Sequence, residues 1–211
     1  MNEIRRIYLD TAHAARDLVS SHELAEKWDA PSALEHFSLK GLAGHLARAV
    51  ISVETYLDRP IPPDAPVTAA EYYARALGNN DLTSDLHTGI RQRGEQMAAE
   101  GHRALLSTLD GAIARLRMRL DAEPEERRVQ VFKDIVIFLD DYLVTRLVEL
   151  VVHMDDLSVS LGIQPPAVPT EAYGLAEVCL VDIARFRHGD VAVIRALARR
   201  ERDAAEALRV L

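Results

Sequence analysis

Cysteine is almost missing from this chain. Cys179 is the only one in 211 residues, so no disulfide can close within it, which fits a reducing cytosol. Cys179 lies in the apolar run 178–181 and reads as core. An excess of positive charge is missing too. The net charge of −8 disfavours nucleic acid or an anionic membrane as partner. The arginines 195, 199, 200 and 202 alternate with acids and read as a solvated helix face. No apolar run approaches the length of about 20 residues that a membrane span needs. The start of the chain, Met1-Asn-Glu-Ile-Arg-Arg, lacks the basic-then-apolar order of a secretory leader. No internal repeat is evident. A cytoplasmic protein is therefore expected. Its 48% hydrophobic and 27% charged residues are ordinary for a globular domain, and the chain is long enough to bury its own core.

Helical periodicity dominates. Residues 3–27 read as a first helix through Ile4, Ile7, Tyr8, Thr11, Ala15, Leu18 and Val19, with Trp28 and Pro31 marking its exit. Residues 29–37 read as a loop, and Ser38 as the N-cap of a second helix over 39–58. Four prolines between 59 and 69 make a stiff connection. A short helix over 70–78 and a turn at 79–81 follow. A third main helix is expected from about Thr83 to Leu120, interrupted early by Gly89 and Gly94. Residues 127–138 are rich in β-branched side chains and fit either a small hairpin or an extended connection. Asp140 is the expected N-cap of a fourth helix over 141–161, which Gly162 ends. Residues 170–211 read as two shorter helices split near 188–190. They carry more apolar surface than a small appendage buries alone, so they should cover either the bundle or a second subunit. The whole reads as all-α: a four-helix bundle over 1–164 with a helical C-terminal appendage over 165–211.

The fourth helix carries the chemistry. Leu147, Leu150, Val151, Met154 and Leu157 form an apolar stripe, and Glu149 and His153 project together from successive turns. A carboxylate and an imidazole presented together are two of the ligands that zinc takes. Of the eight histidines, His13, His22, His36, His87, His102 and His188 sit among polar neighbours or near helix ends and read as exposed. His45 lies mid-helix beside the apolar stripe of the second helix. Alone it would read as a core histidine; with Glu149 and His153 it completes a candidate triad.

These segments resemble the mycothiol-dependent maleylpyruvate isomerase group, within the DinB-like superfamily of metal-binding four-helix bundles. The likeness rests on Trp28-Asp-Ala-Pro-Ser with Gly44-His45-Leu46, and on the pattern Arg146-x-x-Glu149-x-x-x-His153-x-x-Asp156-Leu157. The tail over 185–200 is also similar to that of short members. The resemblance implies a divalent metal, zinc foremost, held by His45, Glu149 and His153 with one position open to water or to a low-molecular-weight thiol such as mycothiol. Three protein ligands and an open position is the pattern of a catalytic zinc, and a metal-bound thiol loses its proton.

On the shared face of the helix, Asp156 is placed to accept an imidazole N–H, and Arg146 to orient a carboxylate or a substrate anion; each also fits a plain helix ion pair. The founding isomerases have a further α/β domain that shapes their site. Here residues 170–211 read as helix, which argues against maleylpyruvate itself. The implied cleft lies near loop 29–37 and the residues before Asp140, with Arg146, Arg91 or Arg93 as donors. The leading expectation is a zinc- and thiol-dependent transferase or isomerase with a small electrophilic substrate, as a monomer or homodimer. The alternatives are a non-catalytic metal-binding stress or regulatory protein, and a buried polar network of Glu149 with the two histidines.

Overall fold

The structure is a computed structural model that describes residues 1–77, 84–198, 200–201, 204–208 and 210. In chain order its elements are α1 (Glu3–Val19), α2 (His22–Glu26), α3 (Leu39–Leu57), α4 (Ala69–Leu77), α5 (Asp85–Met97), α6 (His102–Ala122), β1 (Arg128–Gln130), β2 (Val136–Phe138), α7 (Leu139–Leu161), α8 (Thr170–His188), α9 (Asp190–Ala198) and α10 (Ala205–Leu208). Helices α1, α7, α3 and α6 pack in a ring, each against the next, and form the four-helix bundle. Leu42, Leu46, Val50 and Val53 of α3 join Leu105, Leu109 and Leu116 of α6 and Leu143, Leu147 and Leu150 of α7 in its core. No helix among the described residues is long and apolar enough to cross a membrane.

Local chemistry explains the boundaries. The helix read over 3–27 breaks after Val19, because Ser21 starts a new turn by accepting the Leu24 N–H. Ser38 caps α3 as expected, accepting the Gly41 N–H at 3.0 Å. The single helix expected from Thr83 to Leu120 is two helices. Gly101 separates them with φ +95° and ψ 170°, a conformation that essentially only glycine adopts. Gly94 stays inside α5, where it allows a close approach to α3. A Cβ on Gly94 would lie 2.4 Å from the Gly41 carbonyl oxygen, and one on Gly44 would lie 2.1 Å from that of Gly94. The turn read at 79–81, and the starting point read at Thr83, lie outside the described residues.

Of the two readings for 127–138, the hairpin is the one formed. Strands β1 and β2 pair antiparallel with Val129 opposite Ile137, and Lys133 and Asp134 make the turn at φ +57°. The proline-rich connection runs beside it, the Val67 N–H reaching the Val136 carbonyl at 2.8 Å. Asp140 does not cap α7, which starts two residues earlier than expected, at Leu139, with Phe138 at the N-cap. Its carboxylate instead accepts from Arg5 Nε at 2.7 Å and Asn2 Nδ2 at 2.6 Å, pinning α1 to α7. Gly162 ends α7 in the left-handed conformation, as its position suggested. Helix α8 packs on α7 and α4 through Ala172, Ala176, Cys179 and Ile183, so the tail covers its own bundle. Val178, Phe186, Val191, Ile194 and Leu197 remain exposed.

Candidate metal centre

His45 on α3 and Glu149 and His153 on α7 converge, although more than a hundred positions separate them in sequence. His45 Nε2 lies 3.3 Å from Glu149 Oε2, and His153 Nε2 lies 3.4 Å from the same oxygen. The two imidazoles meet edge to face with centroids 4.6 Å apart. The helical period alone places Glu149 and His153 together; the packing of α3 on α7 brings in His45. Donor atoms of all three lie within 4.8 Å of one another, the one such cluster of three or more metal-ligating side chains among the described residues.

The donor set fits a tetrahedral divalent ion. Two ligand atoms each about 2.1 Å from one tetrahedral centre are roughly 3.4 Å apart, the separation seen between Glu149 and both imidazoles. His153 Nδ1 lies 2.9 Å from Asp156 Oδ2. A carboxylate accepting at Nδ1 leaves the Nε2 lone pair of a neutral imidazole facing the triad. Glu149 is held from the other side. The Tyr73 hydroxyl of α4 is 2.9 Å from the Thr145 carbonyl and 3.1 Å from Glu149 Oε1, so its one proton serves two acceptors.

The electrostatics separate the two histidines. Burial lowers the His45 pKa by more than its hydrogen bond to Glu149 restores, so that ring is neutral at pH 7. Burial opposes charge on His153 as well. Its hydrogen bonds to Asp156 and Glu149 prevail and push its pKa up to about 9. For Glu149, burial favours the neutral acid, but both imidazoles and Arg146 hold its carboxyl well below the usual range. The carboxylate is thus ionised, and a proton on His153 stands where a cation would.

The triad opens into a cavity of about 470 Å³. Leu34 and Phe37 of loop 29–37 and Phe132 of the hairpin line it, alongside Tyr72 and Tyr73 of α4 and Leu86, His87, Ile90 and Arg93 of α5. Arg48 and Arg146 complete the polar wall. Arg146 makes no ion pair with Glu149. Its Nε donates to Thr145 Oγ1 at 3.2 Å, and its guanidinium lies 4.9 Å from the Tyr142 ring centroid. Arg91 does not line the cavity and donates to Thr88 Oγ1 at 3.0 Å.

Several cavity residues escaped the sequence reading, Arg48, Tyr73 and His87 among them. Tyr73 follows Tyr72 in a short helix and carries no motif. His87, expected at the surface, lines the cavity with Nε2 buried and without a hydrogen-bond partner among the described residues. Ser84 caps α5 by accepting the His87 N–H at 3.4 Å, and nothing local in the sequence marks the imidazole itself. His102 is half-buried rather than exposed, its Nε2 2.6 Å from the Val19 carbonyl oxygen. Cys179 is buried and its thiol is pushed up to about 12, chiefly by burial, so it stays protonated and is no nucleophile.

Comparison with curated proteins and with solved structures finds no match. The architecture is that of a DinB-like bundle with a short helical appendage. Residues 8–158 match the model of the mycothiol maleylpyruvate isomerase N-terminal domain, a span that includes all three converging side chains, and the chain belongs to that family.

Proposed function

We propose that this protein is a metal-dependent thiol transferase or isomerase. In this reading His45, Glu149 and His153 hold one divalent ion, zinc foremost, and a low-molecular-weight thiol such as mycothiol is the co-substrate. The observation that carries it is the convergence of a carboxylate and two imidazoles at tetrahedral-edge spacing on the wall of a ligand-sized cavity. A zinc ion bound there would supply a Lewis-acid position at which a thiol ionises near neutral pH.

The chain's own residues do the rest. Asp156 orients His153 and fixes its tautomer. Tyr73 holds the far oxygen of Glu149, leaving Oε2 to face both imidazoles. The aromatic wall of Tyr56, Tyr72, Tyr142 and Phe132 keeps water from the reacting carbon. A thiolate formed there would add to an electrophilic carbon as that carbon's π pair moves onto a conjugated oxygen. The adduct would then keep the C–S bond by taking up a proton or expelling a leaving group such as chloride, or would rotate about the new single bond and expel the thiolate as the isomer re-forms its double bond.

In the same reading, residues 1–164 form the catalytic domain and 165–211 an appendage, in a cytoplasmic protein. A non-catalytic metal-binding role would use the same triad but gives the cavity no work.

The test has two stages. Metal analysis of the untreated protein should find one zinc per chain, lost in His153→Ala. Turnover of a chlorinated nitroarene or of maleylpyruvate with mycothiol, bacillithiol or glutathione should then depend on zinc. Activity undiminished in His153→Ala would overturn the mechanism, and one zinc with no turnover of any thiol would favour the non-catalytic role.

A further inference from the structure

Three arginines from three helices line the cavity: Arg48 of α3, Arg93 of α5 and Arg146 of α7. Among the described residues none has a carboxylate within the 4.0 Å of an ion pair. Arg93 lies over the Phe132 ring at 5.8 Å, and Arg146 over Tyr142 and Tyr72 at 4.9 and 5.9 Å. The Arg48 side chain has no hydrogen bond to any described group. Burial, and then repulsion from Arg93, make its charge less stable than that of an ordinary guanidinium.

The chain has 33 acids for 25 bases, and it pairs Arg5, Arg16, Arg115 and Arg127 with carboxylates. The two carboxylates of the cavity are already engaged, Glu149 by both imidazoles and Asp156 by His153. Arg146 is partly offset by the charge of Glu149 nearby, but holding Arg48 and Arg93 beside it with no carboxylate paired to either among the described residues is costly. An arriving anion removes that cost.

The geometry says what kind of anion. Arg48 is three residues from His45, and Arg146 three from Glu149, so each lies about 4.5 Å along its helix from a triad member. Guanidinium groups match a carboxylate with paired N–H donors. Phe37, Tyr56, Tyr72, Phe132 and Tyr142 offer flat apolar surface between.

We propose that Arg48, Arg93 and Arg146 form an anion subsite that holds the carboxylate of an aromatic acid, with its ring against the tyrosine wall and its far edge toward the triad. The ligand's role as substrate rests on the reading of the triad as the reacting centre; its binding does not.

Calorimetric titration of the full chain with 2-naphthoate and with 2-naphthamide, with and without zinc, tests this. The acid should bind at least ten times more tightly than the amide. Arg48→Gln and Arg93→Gln should each weaken the acid at least tenfold, keep the far-UV circular dichroism of the parent, and leave zinc affinity within threefold. Equal binding of acid and amide, or full affinity in both variants, would overturn the subsite. Zinc titration of the parent chain separates the two ideas. Acid-selective binding without zinc uptake supports the subsite and removes the metal mechanism, whereas zinc uptake without acid selectivity does the reverse.

Discussion

Arg5 at the start of α1 and Arg48 in the middle of α3 are both drawn into the bundle, and their surroundings treat them in opposite ways. Arg5 is 2% exposed and gives every guanidinium nitrogen a partner: Nε to Asp140, Nη1 to the Leu120 and Glu123 carbonyls, and Nη2 to the Pro124 carbonyl. Those carbonyls belong to the last turn of α6 and the segment after it, so the guanidinium also caps a helix C-terminus. Arg48 faces a cavity with no carboxylate paired to it and two more arginines beside it. The first is a structural arginine whose charge is neutralised on folding. The second keeps its charge for something that the fold does not contain. One residue type thus serves stability in one place and ligand binding in another, and only the partners tell them apart.

The comparison can be broken at its strong end. Arg5→Ala takes from Asp140 its charged partner, leaving only Asn2, and takes the guanidinium from the Leu120, Glu123 and Pro124 carbonyls. It should cost about 3–5 kcal/mol, as loss of one partner in a buried pair does. Urea denaturation reads it; a loss under about 1 kcal/mol would mean that the network contributes little. Gly44→Ala comes next. Its Cβ would meet the Gly94 carbonyl oxygen at 2.1 Å, and that atom is backbone and cannot swing aside. Helix α5, with Arg93 and His87, must move outward, at a cost of about 1–3 kcal/mol. A melting temperature equal to the parent's would refute the tight α3–α5 contact.

At the site the expected effects are smaller in stability and larger in function. Asp156→Asn should lower zinc affinity about tenfold or more while the fold persists, as read by competition with a chromophoric chelator. Unchanged affinity would reduce the 2.9 Å contact with His153 to a helix ion pair. The smallest effect sharpens the comparison most. Arg48→Gln removes a charge that nothing compensates, so stability should change by less than about 0.5 kcal/mol or rise slightly. A loss as large as that of Arg5→Ala would show Arg48 to be a structural arginine as well.

Periodicity made α3 and α7 legible, because an apolar stripe at 3.6-residue spacing has few other readings. The ends of α3 and α7 were legible where a side chain or a glycine acts locally, as Ser38 and Gly162 do. The break before α6 was not. Gly89, Gly94 and Gly101 look alike in sequence, and only the last takes a positive φ, while Gly94 is there for close packing. Asp140 has the form of an N-cap, but Arg5 claims its carboxylate from a distant helix. Tyr73 and His87 carried no local signal, because their significance lies in which wall α4 and α5 present to the cavity.

The sequence by itself determined that Glu149, His153 and Asp156 share one helical face, since that follows from the helical period and needs no partner. It also determined a helical, acidic chain without a disulfide. Only the tertiary structure decided that His45 meets them at 3.3 Å, that Tyr73 reaches Glu149, and which arginines are left unpaired. The reason is range. Capping and periodicity act within one or two turns, whereas the charge state and partner of a buried group depend on helices that packing brings together from distant parts of the chain.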